Sequence, residues 1–146
     1  MRISTRVNYG MRLMFQLALQ QGRGFVFLKD IAAREEISEK YLSQIVIPLR
    51  GANLVVSSRG AHGGYRLARG PAQISVCAIV EALDPDMVSS RRGRRGTARD
   101  QRPSSVTQIV WDAMNEVVKH QLQSMTLQTL LDAHRARMAS AVEYHI

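Results

Sequence analysis

The sequence predicts a mainly α-helical fold: a winged helix-turn-helix with a small β-hairpin wing, followed by a long dimerisation helix and a C-terminal helix. Three observations carry this expectation. Two short helical patterns meet at Glu36-Ile37, and the second opens on Ser38, a natural N-cap for the apolar face of Leu42, Ile45, Val46 and Leu49. Two strand-like runs, Leu54-Val55-Val56 and Tyr65-Arg66-Leu67, flank a turn-rich tip from Ser57 to Gly64. Finally, Val106, Ile109, Val110, Ala113, Met114, Val117 and Val118 repeat at alternating spacings of three and four, the stripe of a long amphipathic helix. That helix either folds back on its own winged helix or, the favoured reading, pairs with its copy in a second chain. The order of the parts is more specific than any one of them.

The remaining elements follow along the chain. Gly10, Leu13, Met14, Leu17, Ala18 and Gln21 share one helical face, with Ser4 as N-cap and Gly22 and Gly24 as stop signals. Phe25 to Leu28 suits a short strand. A helix from about Leu28 to Glu35 buries Ile31, Ala32 and Ala33. Pro48 falls inside the helix that Ser38 opens, where it removes a hydrogen bond and crowds the carbonyl of Gln44, so a bend is expected there. After Pro71, Val76, Ile79, Val80 and Leu83 define a short helix. Residues 85–104 lose apolar periodicity and read as a loop. Thr126 can cap a last helix that carries Leu127, Leu130, Leu131 and Met138. The chain thus divides into residues 1–84, the winged helix-turn-helix; 85–104, an Arg-rich loop; and 105–146, the dimerisation and C-terminal helices.

Of the 146 residues, 20 are basic and 12 acidic, which leaves a net charge of +8, and 17 of the basic residues are Arg. Residues 1–80 carry +7 of that charge, 81–105 carry +2 and 106–146 carry −1. A basic first half with a near-neutral tail favours a polyanion on one part and protein contacts on the other, although a basic surface also serves solubility alone. No apolar run approaches the ~18 residues of a membrane span. No secretory signal is expected, and the chain reads as cytoplasmic. One cysteine, Cys77, excludes an internal disulfide framework and any cluster held by several cysteines of one chain.

The helix opened by Ser38 is the candidate for reading DNA. Its first turns present Ser38, Glu39, Lys40, Tyr41, Ser43 and Gln44, and its N-terminal N–H groups can meet phosphate while Gln44 can pair with adenine. At the wing, Arg59 can enter a minor groove, Gly60, Gly63 and Gly64 allow close backbone approach, and His62 can touch phosphate. Cys77, flanked by apolar residues, is expected in the core, and a redox role would need exposure and a lowered pKa. The four histidines lack metal-ligand spacing, so no metal site is expected. No nucleophile–base pair, phosphate loop or carboxylate pair stands out, so an enzyme is not expected.

These motifs also carry a resemblance. Met1 to Gly10, Ile37 to Gln44 and the wing Ser57 to Tyr65 look like the Rrf family of bacterial winged-helix transcription regulators, to which the IscR, NsrR and CymR types belong. The likeness continues through Pro71, Ile74 to Ile79, Trp111 and Thr126-Leu127, which is essentially the whole chain. It implies a homodimer whose long helices cross, with each winged helix reading half of a near-palindrome. Ser38, Lys40, Tyr41, Ser43 and Gln44 would then face the major groove and Arg59 the minor groove. Many relatives have an acidic residue at the position of Ser43, so sequence preference is expected to differ there. Many also hold an iron–sulfur cluster through three loop cysteines and a fourth ligand. Here the corresponding positions fall near Ser105 and Gln108, Asn8 replaces an acidic ligand, and no cluster is expected.

The function that follows is a dimeric, sequence-specific DNA-binding regulator, a repressor in its expected action, without a cofactor. A winged-helix module that docks onto a partner enzyme or complex is the alternative. The six arginines between Arg91 and Arg102 suit an extra DNA contact, a site for an acidic effector, or a degenerate sensor loop that only solvates.

Overall fold

The computed structural model describes residues 2–60, 64–89 and 106–145. Within them lie α1 (Thr5–Leu19), α2 (Leu28–Glu35), α3 (Glu39–Gly51), β1 (Val55–Ser58), β2 (Gly64–Leu67), a 3-10 turn (Pro71–Gln73), α4 (Val76–Leu83), α5 (Pro85–Val88), α6 (Val106–Ser124) and α7 (Leu127–Glu143).

Side-chain oxygens start the main helices by satisfying N–H groups that the first turn leaves without partners. Ser4 accepts from the Val7 amide, Ser38 from Tyr41 and Ser75 from Ala78. Thr126 and Thr129 form a reciprocal capping box. The core faces follow the apolar spacing: Val7, Leu13, Met14, Leu17 and Ala18 in α1, and Leu42, Ile45, Val46 and Leu49 in α3, are buried together with Ile79, Val80 and Leu83 of α4. α1 is the central strut, packed on α3, α4 and α7. α3 continues through Pro48 to Gly51, and the Pro48 carbonyl still accepts from the Ala52 amide at 3.0 Å.

The hairpin is antiparallel, with Val55 opposite Leu67 and Ser58 opposite Gly64, so its tip is shorter than the turn-rich sequence implies. The expected strand at Phe25 to Leu28 reduces to one bridge, in which Val26 and Tyr65 exchange amide–carbonyl bonds of 2.8 Å each way. Leu28 already belongs to α2. Three further expectations are corrected. Ala33 is exposed, because an eight-residue helix buries one narrow face and Ile31 with Ala32 fills it. The segment from Pro85 begins as a helical turn that buries Met87 and Val88, whereas residues 90–104 of the expected loop lie outside the described residues. Met138 is 56% exposed: Leu127 and Leu131 anchor α7 in the core, and the apolar spacing runs on past that anchorage.

Backbone bonds also tie α7 to the winged part. The Val76 amide donates to Met125, and the Leu127 amide donates to Ile74. α6 contacts α4 and α5, but none of its residues is buried.

Candidate nucleic-acid interface

With Leu42, Ile45, Val46 and Leu49 turned inward, α3 presents its opposite face to solvent. Lys40, Ser43, Gln44 and Ile47 are all exposed there. The Ser38 hydroxyl is committed as acceptor to the helix cap, and Ser43 donates to the Glu39 carbonyl at 2.9 Å, so both keep acceptor capacity outward. The Gln44 side chain is exposed and makes no hydrogen bond with the other described residues, which leaves its amide oxygen and NH2 group facing solvent. Tyr41 differs from its neighbours. It is half-buried, edge-on to Tyr9 with ring centroids 5.7 Å apart, so it positions the first turn of α3 as well as bordering its outer face.

The same tyrosine pair belongs to a brace that sequence reasoning missed. Arg12 of α1 lies over the Tyr9 ring at 5.5 Å and donates from Nε to the Glu35 carboxylate at 2.7 Å. It also donates to the Glu35 backbone carbonyl, while Gln16 donates to the second carboxylate oxygen. Glu35 ends α2, and the next residue, Glu36, takes the left-handed conformation (φ 54°) that turns the chain toward α3. Thus α1 grips both helices of the helix-turn-helix at their junction. A sequence signal existed only in the residue types, since the partners are 23 positions apart.

On the wing, Arg59 is exposed at the end of β1 and has no ion-pair partner among the described residues. Arg50, near the end of α3, reaches Ser57 at 3.5 Å and links α3 to the hairpin. Gly60 has φ +101° with open space where a Cβ would sit. Gly64 has φ +123°, and a Cβ there would lie 2.5 Å from the Val26 carbonyl oxygen. Its close approach is therefore to the protein's own backbone at the Val26–Tyr65 bridge, and that bridge fixes the direction of the wing. His62 and Gly63 lie outside the described residues.

The arrangement brings Ser38, Lys40, Tyr41, Ser43 and Gln44 together on one helix, beside a hairpin that carries Arg59. Cys77 lies elsewhere, buried in α4, with its thiol 3.7 Å from the Glu81 carboxylate. Burial first, and then that carboxylate, push its pKa above the ordinary value, against a smaller opposing effect of Lys119. The thiolate is disfavoured at neutral pH, the reverse of a reactive cysteine. In the folded protein Cys77 should react with a thiol reagent at least tenfold more slowly than in denaturant; equal rates would contradict this.

The described residues contain no group of three His, Cys, Asp or Glu able to hold a metal ion. None of their helices is long and apolar enough to cross a membrane. On α6, Val106, Ile109, Val110, Trp111, Met114 and Val117 are 50–77% exposed. Between α1 and α7 runs an apolar groove of about 690 Å³, lined by Val7, Met11, Phe15, Leu122 and Leu130 among others.

Comparison with known proteins agrees with this geometry. A sequence model of the Rrf2 family, described as "Iron-dependent Transcriptional regulator", matches residues 3–133. The HTH-type transcriptional regulator CymR of Bacillus subtilis (strain 168) is 38% identical over 130 residues, 89% of each chain. The solved structure of B. subtilis CymR, described as the global cysteine regulator of that organism, superposes with a TM-score of 0.76 at 36% identity, covering 91% of this chain and 98% of that one. The structure of T. potens IscR gives a TM-score of 0.76 at 38% identity, covering 92% of this chain and 88% of that one.

Proposed function

The chain belongs to the Rrf2 family and is a DNA-binding transcriptional regulator; from that premise we propose that it acts as a cluster-free homodimer in which two winged helices read the halves of a near-palindromic operator. The observation that carries this reading is the uncovered reading face of α3, set beside Arg59 on a part of the chain, residues 1–80, that holds +7 of the net charge of +8. Helix N-terminus and lysine engage phosphate, Gln44 and its neighbours read base edges in the major groove, and Arg59 enters the minor groove. Ser38, Lys40, Tyr41, Ser43, Gln44, Arg59 and Gly60, with His62, Gly63 and Gly64, make up this interface.

Homodimerisation is supported by α6. A 19-residue helix with six large apolar side chains open to water needs a partner, and a second copy supplies the same stripe in self-complementary form. The groove between α1 and α7 extends the apolar surface available to that copy. We divide the chain accordingly into a reading part (1–84), a basic loop (85–104) and a dimerising part (105–146). Occupying an operator blocks access to the same DNA, so we read the action as repression in the cytoplasm, with no catalytic step.

The iron named in the family description does not fit this chain. The segment 90–105, which precedes α6, contains Ser, Gly and Arg with a single Asp100 and no Cys or His. The one cysteine is buried in α4 with a raised pKa. A cluster needs several thiolates, and no step is assigned to one.

The reading is tested by DNA binding across a salt series. Affinity should fall steeply with salt as phosphate contacts release counterions. Arg59→Ala should weaken binding by roughly 1–3 kcal/mol while leaving the unfolding temperature unchanged, because its side chain is exposed. Salt-independent binding, or full affinity in Arg59→Ala, would contradict the proposed interface.

A further inference from the structure

The ridge of α3 farthest from the core is formed by Lys40, Gln44, Ile47 and Gly51, at i, i+4, i+7 and i+11. Ile47 is 59% exposed at its centre, whereas Gly51 offers no side chain. A lone exposed isoleucine on an arbitrary surface means little. Here it stands on the reading face itself, one turn beyond the glutamine best suited to adenine. Three residues advance a helix by about 4.5 Å, and successive base pairs lie about 3.4 Å apart. A side chain at that offset meets the base pair next to the one Gln44 reads. Among base edges in the major groove, only thymine carries a methyl group, at C5. A branched aliphatic side chain can make no hydrogen bond there, so its contribution is contact with that methyl.

Resting on the DNA-reading role of α3, we propose that Ile47 is a specificity-determining residue that recognises a thymine methyl adjacent to the base read by Gln44. Lys40 and Gln44 supply charge and hydrogen bonding on this ridge; Ile47 adds a preference that neither can give. Its outward position also separates reading from stability, because its neighbours on the inward face, Ile45, Val46 and Leu49, form the core.

The test uses a randomised duplex library, from which the wild-type protein enriches a binding sequence. Each thymine of that sequence is then replaced singly by uracil, which keeps pairing and charge and removes only the methyl. Wild type should lose about fourfold in affinity at one thymine of each half-site, the value of one buried methyl group. Ile47→Ala should bind the thymine form about as weakly as wild type binds the uracil form, and should not distinguish the two. Ile47→Val, with a shorter branched side chain, should retain part of the discrimination. The proposal is overturned if Ile47→Ala keeps the wild-type thymine-to-uracil ratio, or if no uracil substitution affects wild type. Enrichment of no sequence at all would overturn the sequence-reading premise and this proposal together; enrichment without methyl sensitivity would overturn only this proposal.

Discussion

Glutamate at both Ile109 and Met114 should turn the proposed homodimer into a monomer and weaken operator binding by about two orders of magnitude. Both side chains lie on the open stripe of α6, and neither is buried within its own chain. Placing two carboxylates in the apolar seam of a dimer costs several kcal/mol per unpaired charge, whereas the same charges in a separate monomer stay in water. Each half-site would then be bound independently, and the gain from linking two readers would be lost. Sedimentation should give the monomer mass, and circular dichroism should retain the helix content. Gln123→Glu, an exposed change on another side of α6, should leave the mass and affinity of wild type. A double variant that still sediments as a dimer would place the subunit contact elsewhere.

The second large effect is expected at Gly64. Alanine there must accept φ +123° and a Cβ 2.5 Å from the Val26 carbonyl oxygen and 2.8 Å from its carbon. Backbone cannot yield as a side-chain tip can, so the Val26–Tyr65 bridge has to open. Strain of about 1–3 kcal/mol together with the loss of two hydrogen bonds of about 1 kcal/mol each gives a loss of about 3–5 kcal/mol in unfolding free energy. Since the bridge directs the hairpin that carries Arg59, DNA affinity should fall with it, by tenfold or more, at temperatures where the protein remains folded. Gly60→Ala is the natural comparison. It has a positive φ of 101° but open space for a Cβ, so strain alone acts, and the loss should stay at about 1–3 kcal/mol without the hydrogen-bond part. Equal costs at the two positions would show that conformation, not the contact with Val26, makes Gly64 necessary.

These two positions also show what kind of information the sequence held. The recognition helix was legible because its signals are local and mutually consistent: Ser38 caps it, and Leu42, Ile45, Val46 and Leu49 repeat with the helical period. The α6 stripe was legible for the same reason, whereas its exposure among the described residues is visible only in the folded chain. Gly64 was legible as a turn residue but not as a contact residue, because Val26 lies 38 positions earlier and meets it only through the fold. The brace of Arg12, Gln16 and Glu35 was hidden likewise, as was the edge-on pairing of Tyr41 with Tyr9. Short elements gave the errors. Four residues from Pro85 to Val88 are too few to show a period, and alanine at Ala33 is too small to declare which face is buried. At Met138 the period was real, but it runs on past the core that anchors the start of α7. Ile47 was overlooked because the candidates on the outer face were confined to the polar residues of the first turns, Ser38 to Gln44.

The central claim is that this face of α3 and the wing distinguish one DNA sequence from others, beyond the attraction of a basic protein for any polyanion. The measurement that addresses it is the retention of a sequence enriched from random duplexes, challenged with excess random DNA of the same length at the same salt. The account predicts that the enriched duplex stays bound, by a factor of about 10³ or more over random DNA, and that this factor collapses in Arg59→Ala combined with Gln44→Ala. Equal retention of the two DNAs by the wild-type protein would contradict it.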